Sequence, residues 1–327
     1  MPGRGSVNRQ IQVGVETTPG TAVPCNKVLP STSLTLSPEI DNKSYATQGF
    51  KVPTANKLIH YDSGVAVTSP LNFTEIIYLL NMIVTGVIST PAGGTTSRKH
   101  KFSPTAFGTD TAKTLTIQEG DTTAATQSAY NFLSDFGFTA DDNGADVTGT
   151  LAGYAPTVVT LTAAPTTVAQ LPIGPREIDV YIDSTFGTIG TTKISDALSF
   201  NFGLGAKQVK KRVLNTSYPS FKEPVEGVPT LAAGFRTEHN LQSRNIFAGV
   251  TAASNPTKYI RFTATGPIIE AAIAYSFQFD MAAQIIDMNQ GDSDGIWDYE
   301  YMLSPIYDAA FGNKLFDIEV VNAITAL

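Results

Sequence analysis

The sequence predicts a mainly β fold: two tandem β-sandwich domains, each with a short flanking α-helix, plus extended arms and loops for assembly. Three observations predict it. Apolar residues alternate with polar ones in short runs along the chain of 327 residues, the signature of half-buried strands. Asp-, Asn- and Gly-rich turns separate those runs. The same order of elements also occurs twice. Composition agrees, with 42% hydrophobic and only 16% charged residues. Thr, Ser, Gly and Ala fill the places of Lys and Glu, which suits strands and turns better than exposed helices.

Residues 1–30 open the chain as an expected N-terminal arm. Ile11, Val13 and Val15 alternate and then run into Thr17-Thr18-Pro19-Gly20, a turn. Nothing in this stretch can do chemistry, and its apolar surface is small, so a neighbour is expected to bind it. Residues 31–188 form the expected first domain. Its strands are read at 33–36, 65–67, 113–117, 136–138 and 177–182, with a hairpin turn at Asp142-Asn143-Gly144. A helix is expected over 72–84, because Asn72 and Glu75 have capping-box spacing and Ile76, Leu79, Leu80 and Ile83 share one face.

The boundary is placed in the small, polar stretch 184–193, with turn glycines at 187–190, and residues 189–327 form the expected second domain. Strands are read at 197–202, 230–233, 259–262, 272–279 and 318–321, with turns at 203–205 and 292–295 and a more polar helix at 237–248. Matched elements of the two halves are offset by 140–164 residues, near half the chain length. That spacing predicts duplication. A long polar loop follows the first strand of each half, at 41–60 and 206–229, too long for a simple core connection.

The chemistry-bearing residues are sparse. His60, His100 and His239 are far apart in sequence, with no ligand spacing among them. Cys25 is the single cysteine, so no disulfide forms within the chain. The acidic run 287–298 fails the register of a calcium loop and reads as a hairpin tip with solvated acids. Phe202-Gly-Leu-Gly lacks the third glycine of a dinucleotide loop, and neither a phosphate-binding GxxxxGK[ST] loop nor a GxSxG elbow occurs. Catalytic, cofactor and metal residues are therefore expected to be none, and the chain is not expected to be an enzyme.

A net charge of −7 argues against gripping nucleic acid by counterion release. The start has no apolar core like that of a signal peptide, and the apolar run 76–84 is too short to cross a bilayer. No membrane is expected as a partner. One basic cluster stands out, Lys207, Lys210, Lys211 and Arg212, with Lys43, Lys51 and Lys57 in the other long loop. The chain's own acidic faces are the economical counterpart for these cations. Ile11, Val13, Val15, Lys43, Lys51, Lys57, Lys207, Lys210, Lys211 and Arg212 are thus the candidate contacts between subunits or rings.

IQVGVETTPGTAV and SLTLSPEID near the N-terminus, TLTIQEGD at 114–121, YNFLSDFGFTADDNGADVTGTLAG at 130–153, KYIRFTATGPII at 258–269 and NKLFDIEVVNA near the C-terminus resemble the major tail tube proteins of long, non-contractile-tailed bacteriophages. The resemblance covers nearly the whole chain and is one of pattern and short motifs. It implies a β-sandwich with a flanking helix, subunits closed into rings, and rings stacked into a hollow tube that delivers DNA to the host. Many such proteins carry one domain and assemble as hexamers; two domains here imply a trimeric ring with pseudo-sixfold symmetry. The resemblance also implies a tape measure protein and tail-end proteins as partners, DNA passing through the lumen without specific binding, assembly in the host cytoplasm and residence in the virion tail. The alternative is a receptor- or carbohydrate-binding β-sandwich module of a phage fibre or adhesin, for which Trp297, the only tryptophan, is the relevant aromatic.

Overall fold

The structure is a computed structural model that describes residues 8–91, 93–251, 255–293 and 295–326. The fold is mainly β. Strands β1 (Gln10–Val15), β2 (Lys27–Val28), β3 (Pro38–Tyr45) and β4 (Ala55–Pro70) lead into helix α1 (Ile76–Asn81). Then come β5 (Val87–Ser89), β6 (Arg98–Phe102), β7 (Leu115–Gly120), β8 (Ala125–Asp141), β9 (Gly144–Tyr154), β10 (Thr157–Val159), β11 (Thr166–Thr167) and β12 (Ile178–Asp183). The remainder comprises β13 (Ala197–Gly205), β14 (Gln208–Lys211), β15 (Glu223–Glu226), β16 (Thr230–Glu238), helix α2 (Leu241–Thr251), β17 (Lys258–Glu270), β18 (Ile273–Ser293), β19 (Ile296–Pro305) and β20 (Asp317–Asn322).

An antiparallel run of eight strands forms the backbone of the fold, in the order β3-β4-β9-β8-β13-β16-β19-β18. It contains one pairing pattern twice. In the first half β4 pairs with β9, β9 with β8 and β8 with β7, and α1 lies between β4 and β7 in the chain. In the second, β16 pairs with β19, β19 with β18 and β18 with β17, and α2 follows β16. The long strands β8 and β18 each slip register by one residue, at Leu133/Asp135 and Ile285/Asp287, before entering their hairpins. Such a bulge bends a strand and lets it serve two sheet regions. The early part of β8 pairs with β7 and β10, and that of β18 with β17 and β20.

The halves also interlock. β6 pairs with β20, β12 with β17, and β8 with β13, so strands from each side of the 184–193 stretch complete the other's sheet. The core sits at this junction. Phe138 of β8 lies 5.3–5.7 Å, ring centre to ring centre, from Phe200 and Phe202 of β13, Phe262 of β17, and Phe277 and Phe279 of β18. Each such ring contributes about 1.5–3 kcal/mol by leaving water, and edge-on and tilted contacts add to that. One buried cluster runs from Ile11 to Val320.

Several elements differ from the sequence reading. Helix α1 is shorter than 72–84: Asn72 Oδ1 accepts from the N–H groups of Thr74 and Glu75 at 3.0 and 2.5 Å. Its capping box is incomplete, because the Glu75 carboxylate turns away to accept from Ser31 N, Thr32 N and Thr32 Oγ1 at 2.9–3.1 Å. Helix α2 starts later than 237, since Thr237 and Glu238 belong to β16; Asn240 and Ser243 cap it reciprocally. The expected turn at 203–205 is the continuing strand β13. The expected strand at 33–36 makes a single bridge, Ser33 to Thr68. Neither expected long loop is a loop throughout. The first is the hairpin β3–β4, and the second holds the ribbon β14–β15.

Residues 8–30 are not an arm free of the chain's own core, as the sequence had suggested; residues 1–7 lie outside the described residues. β1 pairs with β7 along its full length and also with β2. Ile11 and Val13 are buried in the main cluster, and Val15 packs against it. The Pro19-Gly20 turn is present, with Thr21 N donating to Thr18 O at 3.0 Å and Gly20 at φ +79°. Buried Glu16 ties that turn down, accepting from Gly20 N, Thr114 Oγ1, Thr116 Oγ1 and Tyr130 N at 2.6–3.0 Å.

Candidate assembly surfaces

The outer part of the hairpin β3–β4 stands out to solvent. Every residue of β3 is exposed, as are the first five of β4. It nevertheless carries Ile40, Tyr45, Phe50, Val52, Leu58 and Ile59 to solvent. Large apolar groups exposed together on one hairpin make it a candidate interaction surface. Lys43, Lys51 and Lys57 stand on the same hairpin, all exposed, with Lys43 Nζ 5.5 Å from the Tyr45 ring centre. The strand expected at 65–67 is the inner part of β4; β3 and the outer part of β4 were missed because both of their faces are wet, so no inside–outside alternation exists to be read.

The basic cluster belongs to a different setting. Lys207 is buried, between Asp110 at 2.6 Å and Glu226. Lys210 bonds Asp62 at 2.8 Å and Glu39 at 3.0 Å, Lys211 bonds Glu223 at 2.7 Å, and Arg212 forms an ion pair with Asp62 at 2.9 Å. The hydrogen bond from Lys210 holds the Glu39 carboxyl below its usual range. Asp62 itself is buried at the root of the β3–β4 hairpin. Lys210 and Arg212 therefore seat the β14–β15 ribbon on the hairpin's base, while Lys211 ties the ribbon's two strands together. Glu in place of Lys210 and Arg212 would put like charges against buried Asp62, so it should cost the monomer stability. Phe221, fully buried, anchors the same segment among Tyr130, Phe132 and Tyr154 at 5.0–5.7 Å.

The remaining candidates are structural. Cys25 is buried, which pushes its thiol up to about 12 and leaves it inert. His100 is buried and pushed down by that burial, its Nε2 facing Asn322 Oδ1 and Ile324 O at 3.0 Å. His239 stacks on Trp297 with ring centres 3.7 Å apart. The acids of 287–298 are not all solvated: Asp298 is buried, 3.4 Å from Arg236 Nε. Among the described residues, no group of three or more His, Cys, Asp or Glu is placed to hold a metal ion, and no helix is long and apolar enough to cross a membrane.

The eight-strand run ends in two open edges. No strand among the described residues pairs with β3 on the side away from β4, or with the outer half of β18 on the side away from β19. Unpaired N–H and C=O groups at such edges are a template for another chain. Compared with protein-family models and with curated proteins, the chain matches none.

Proposed function

We propose that this chain is a structural protein that assembles with copies of itself into rings, which stack into the hollow tube of a long, non-contractile bacteriophage tail. The observation that carries this reading is the eight-strand run: one pairing pattern repeated twice, open at both ends. A sheet that already joins one repeat to the next within the chain closes naturally by joining further copies in the same sense. Three chains then supply six repeats around a ring. The exposed apolar hairpin β3–β4 provides a second contact, between rings. The duplex passes through a lumen whose small polar and acidic side chains repel phosphate, so the DNA slides without being held. By the same resemblance, a tape measure protein and tail-end proteins complete the structure, which is built in the host cytoplasm.

The alternative, a sugar- or receptor-binding module, would rest on exposed Trp297. One face of that ring is covered by His239, which leaves less aromatic surface for a sugar to stack on. Negative-stain microscopy of the purified chain separates the two readings. Rings or tubes are expected; uniform single molecules at all concentrations would favour the binding module.

A further inference from the structure

Along the eight-strand run, the two repeats are joined by β8 pairing with β13. There Phe136, Phe138 and Ala140 lie opposite Leu204, Phe202 and Phe200. Both partners have counterparts at the open edges. Counting back from the hairpin turns Asp141–Gly144 and Ser293–Ile296, Phe136, Phe138 and Ala140 correspond to Met288, Gln290 and Asp292 of β18. On the other side, Thr68 pairs with Thr148 and its counterpart Arg236 pairs with Glu300, each four residues past the first residue after the turn. Opposite Thr68 lies Ser33, and opposite Arg236 lies Ser199. Leu34, Leu36 and Pro38 therefore hold the places of Phe200, Phe202 and Leu204. Leu34 and Leu36 are buried, as those residues are.

Ser33 exchanges both backbone hydrogen bonds with Thr68, at 2.7 and 3.0 Å, so the backbone groups of Leu34 and Leu36 point to the open side. Two side chains occupy two of them, Leu34 O and Leu36 N. Arg9 Nη2 donates to Leu34 O at 2.5 Å and to Thr35 Oγ1 at 2.7 Å, and Leu36 N donates to Glu119 Oε2 at 2.5 Å. Arg9 and Glu119 also pair with each other. Covering an edge with charged side chains is how proteins prevent unwanted strand addition.

We propose that residues 34–38 of one copy add antiparallel to residues 288–292 of a second copy, with Leu34 opposite Asp292, Leu36 opposite Gln290 and Pro38 opposite Met288. In an unassembled chain, Arg9 and Glu119 guard that edge by occupying the backbone groups the pairing needs. On pairing, Arg9 releases Leu34 O and keeps Glu119 as its acidic partner. This deepens the ring reading and rests on it, naming the contact and what holds it back.

Two experiments test it. Ser37→Cys with Asn289→Cys places a thiol on each exposed strand at positions the register sets opposite one another. Oxidation of assembled particles should link neighbouring chains, while Ser37→Cys with Asp287→Cys, out of register, should not. Separately, Arg9→Ala with Glu119→Gln should lower the concentration at which light scattering reports assembly by roughly tenfold, about one charged hydrogen bond's worth, with the monomer's melting temperature recorded beside it. Particles without the Ser37–Asn289 link overturn the pairing while leaving the ring reading intact. Linked particles with an unchanged threshold overturn the guard alone. A chain that stays monomeric in both forms overturns the pairing and the ring reading together.

Discussion

Removing both cations from buried Asp62 should destabilise the monomer severely, and removing the anion as well should restore most of the loss. Asp62 is 1% exposed, and its carboxylate faces Lys210 at 2.8 Å and Arg212 at 2.9 Å. With Lys210→Met and Arg212→Met, a buried charge loses both partners, a change that typically costs about 3–5 kcal/mol. The Glu39 contact adds little, since that side chain is 58% exposed and surface pairs contribute about 0–1 kcal/mol. At about 2 °C per kcal/mol, the low end for long chains, the double variant should melt roughly 6–10 °C below the parent. Adding Asp62→Asn replaces the whole charged set and should recover more than half of that deficit. Thermal melts followed by near-UV circular dichroism, with urea titrations beside them, measure both. A double variant within about 1 kcal/mol of the parent, or a triple variant no better than the double, would refute the reasoning.

Three further outcomes are expected. Ser97 Oγ and N–H, with Thr95 and Thr96, hold the Glu270 carboxyl far below its ordinary range. A depressed carboxylate stabilises above its unfolded value of about 4.3 and loses that contribution as pH falls through the folded value; Glu270→Gln should therefore lower stability at neutral pH and flatten its decline in acid, read from urea midpoints at successive pH values. Val13→Asp puts an unpaired charge into the core at a site 2% exposed, so the chain should lose cooperative unfolding, and removal of residues 2–24 should unfold the monomer rather than spare it. Cys25, fully buried with its thiol pushed up to about 12, should resist a thiol reagent at pH 8 until denaturant unfolds the chain; rapid labelling of the native protein would contradict its placement.

The parts of the fold that could be read from the sequence are those where one face is dry. β12, β17, the start of β18, and β20 show alternation because their inward residues, such as Val180, Phe262, Phe277 and Ile318, are buried and their neighbours are less so. β3 and the outer part of β4 were invisible for the opposite reason. With both faces exposed, Ile40 and Leu58 have no buried neighbours to set a period. At Ile11 and Val13 the alternation was the true signal, and the turn-rich flank misled: Glu16 and the β7 ladder hold down what looked too sparse to hold itself. The cluster at 207–212 read as a free patch because three of its partners, Asp110, Glu39 and Asp62, lie about 100 residues or more away in sequence, and Glu223 and Glu226 meet it only once the ribbon is formed. Only the folded β14–β15 ribbon brings them together. The open edges could not be read at all, since an edge is a property of what fails to pair.

Ring closure through those edges is the central claim, and the number of chains in the smallest closed particle tests it most directly. Native mass spectrometry of particles released from assembled material should give three chains of 34.8 kDa each, six repeats in all. A stable hexamer, or a monomer that never closes, would contradict the account.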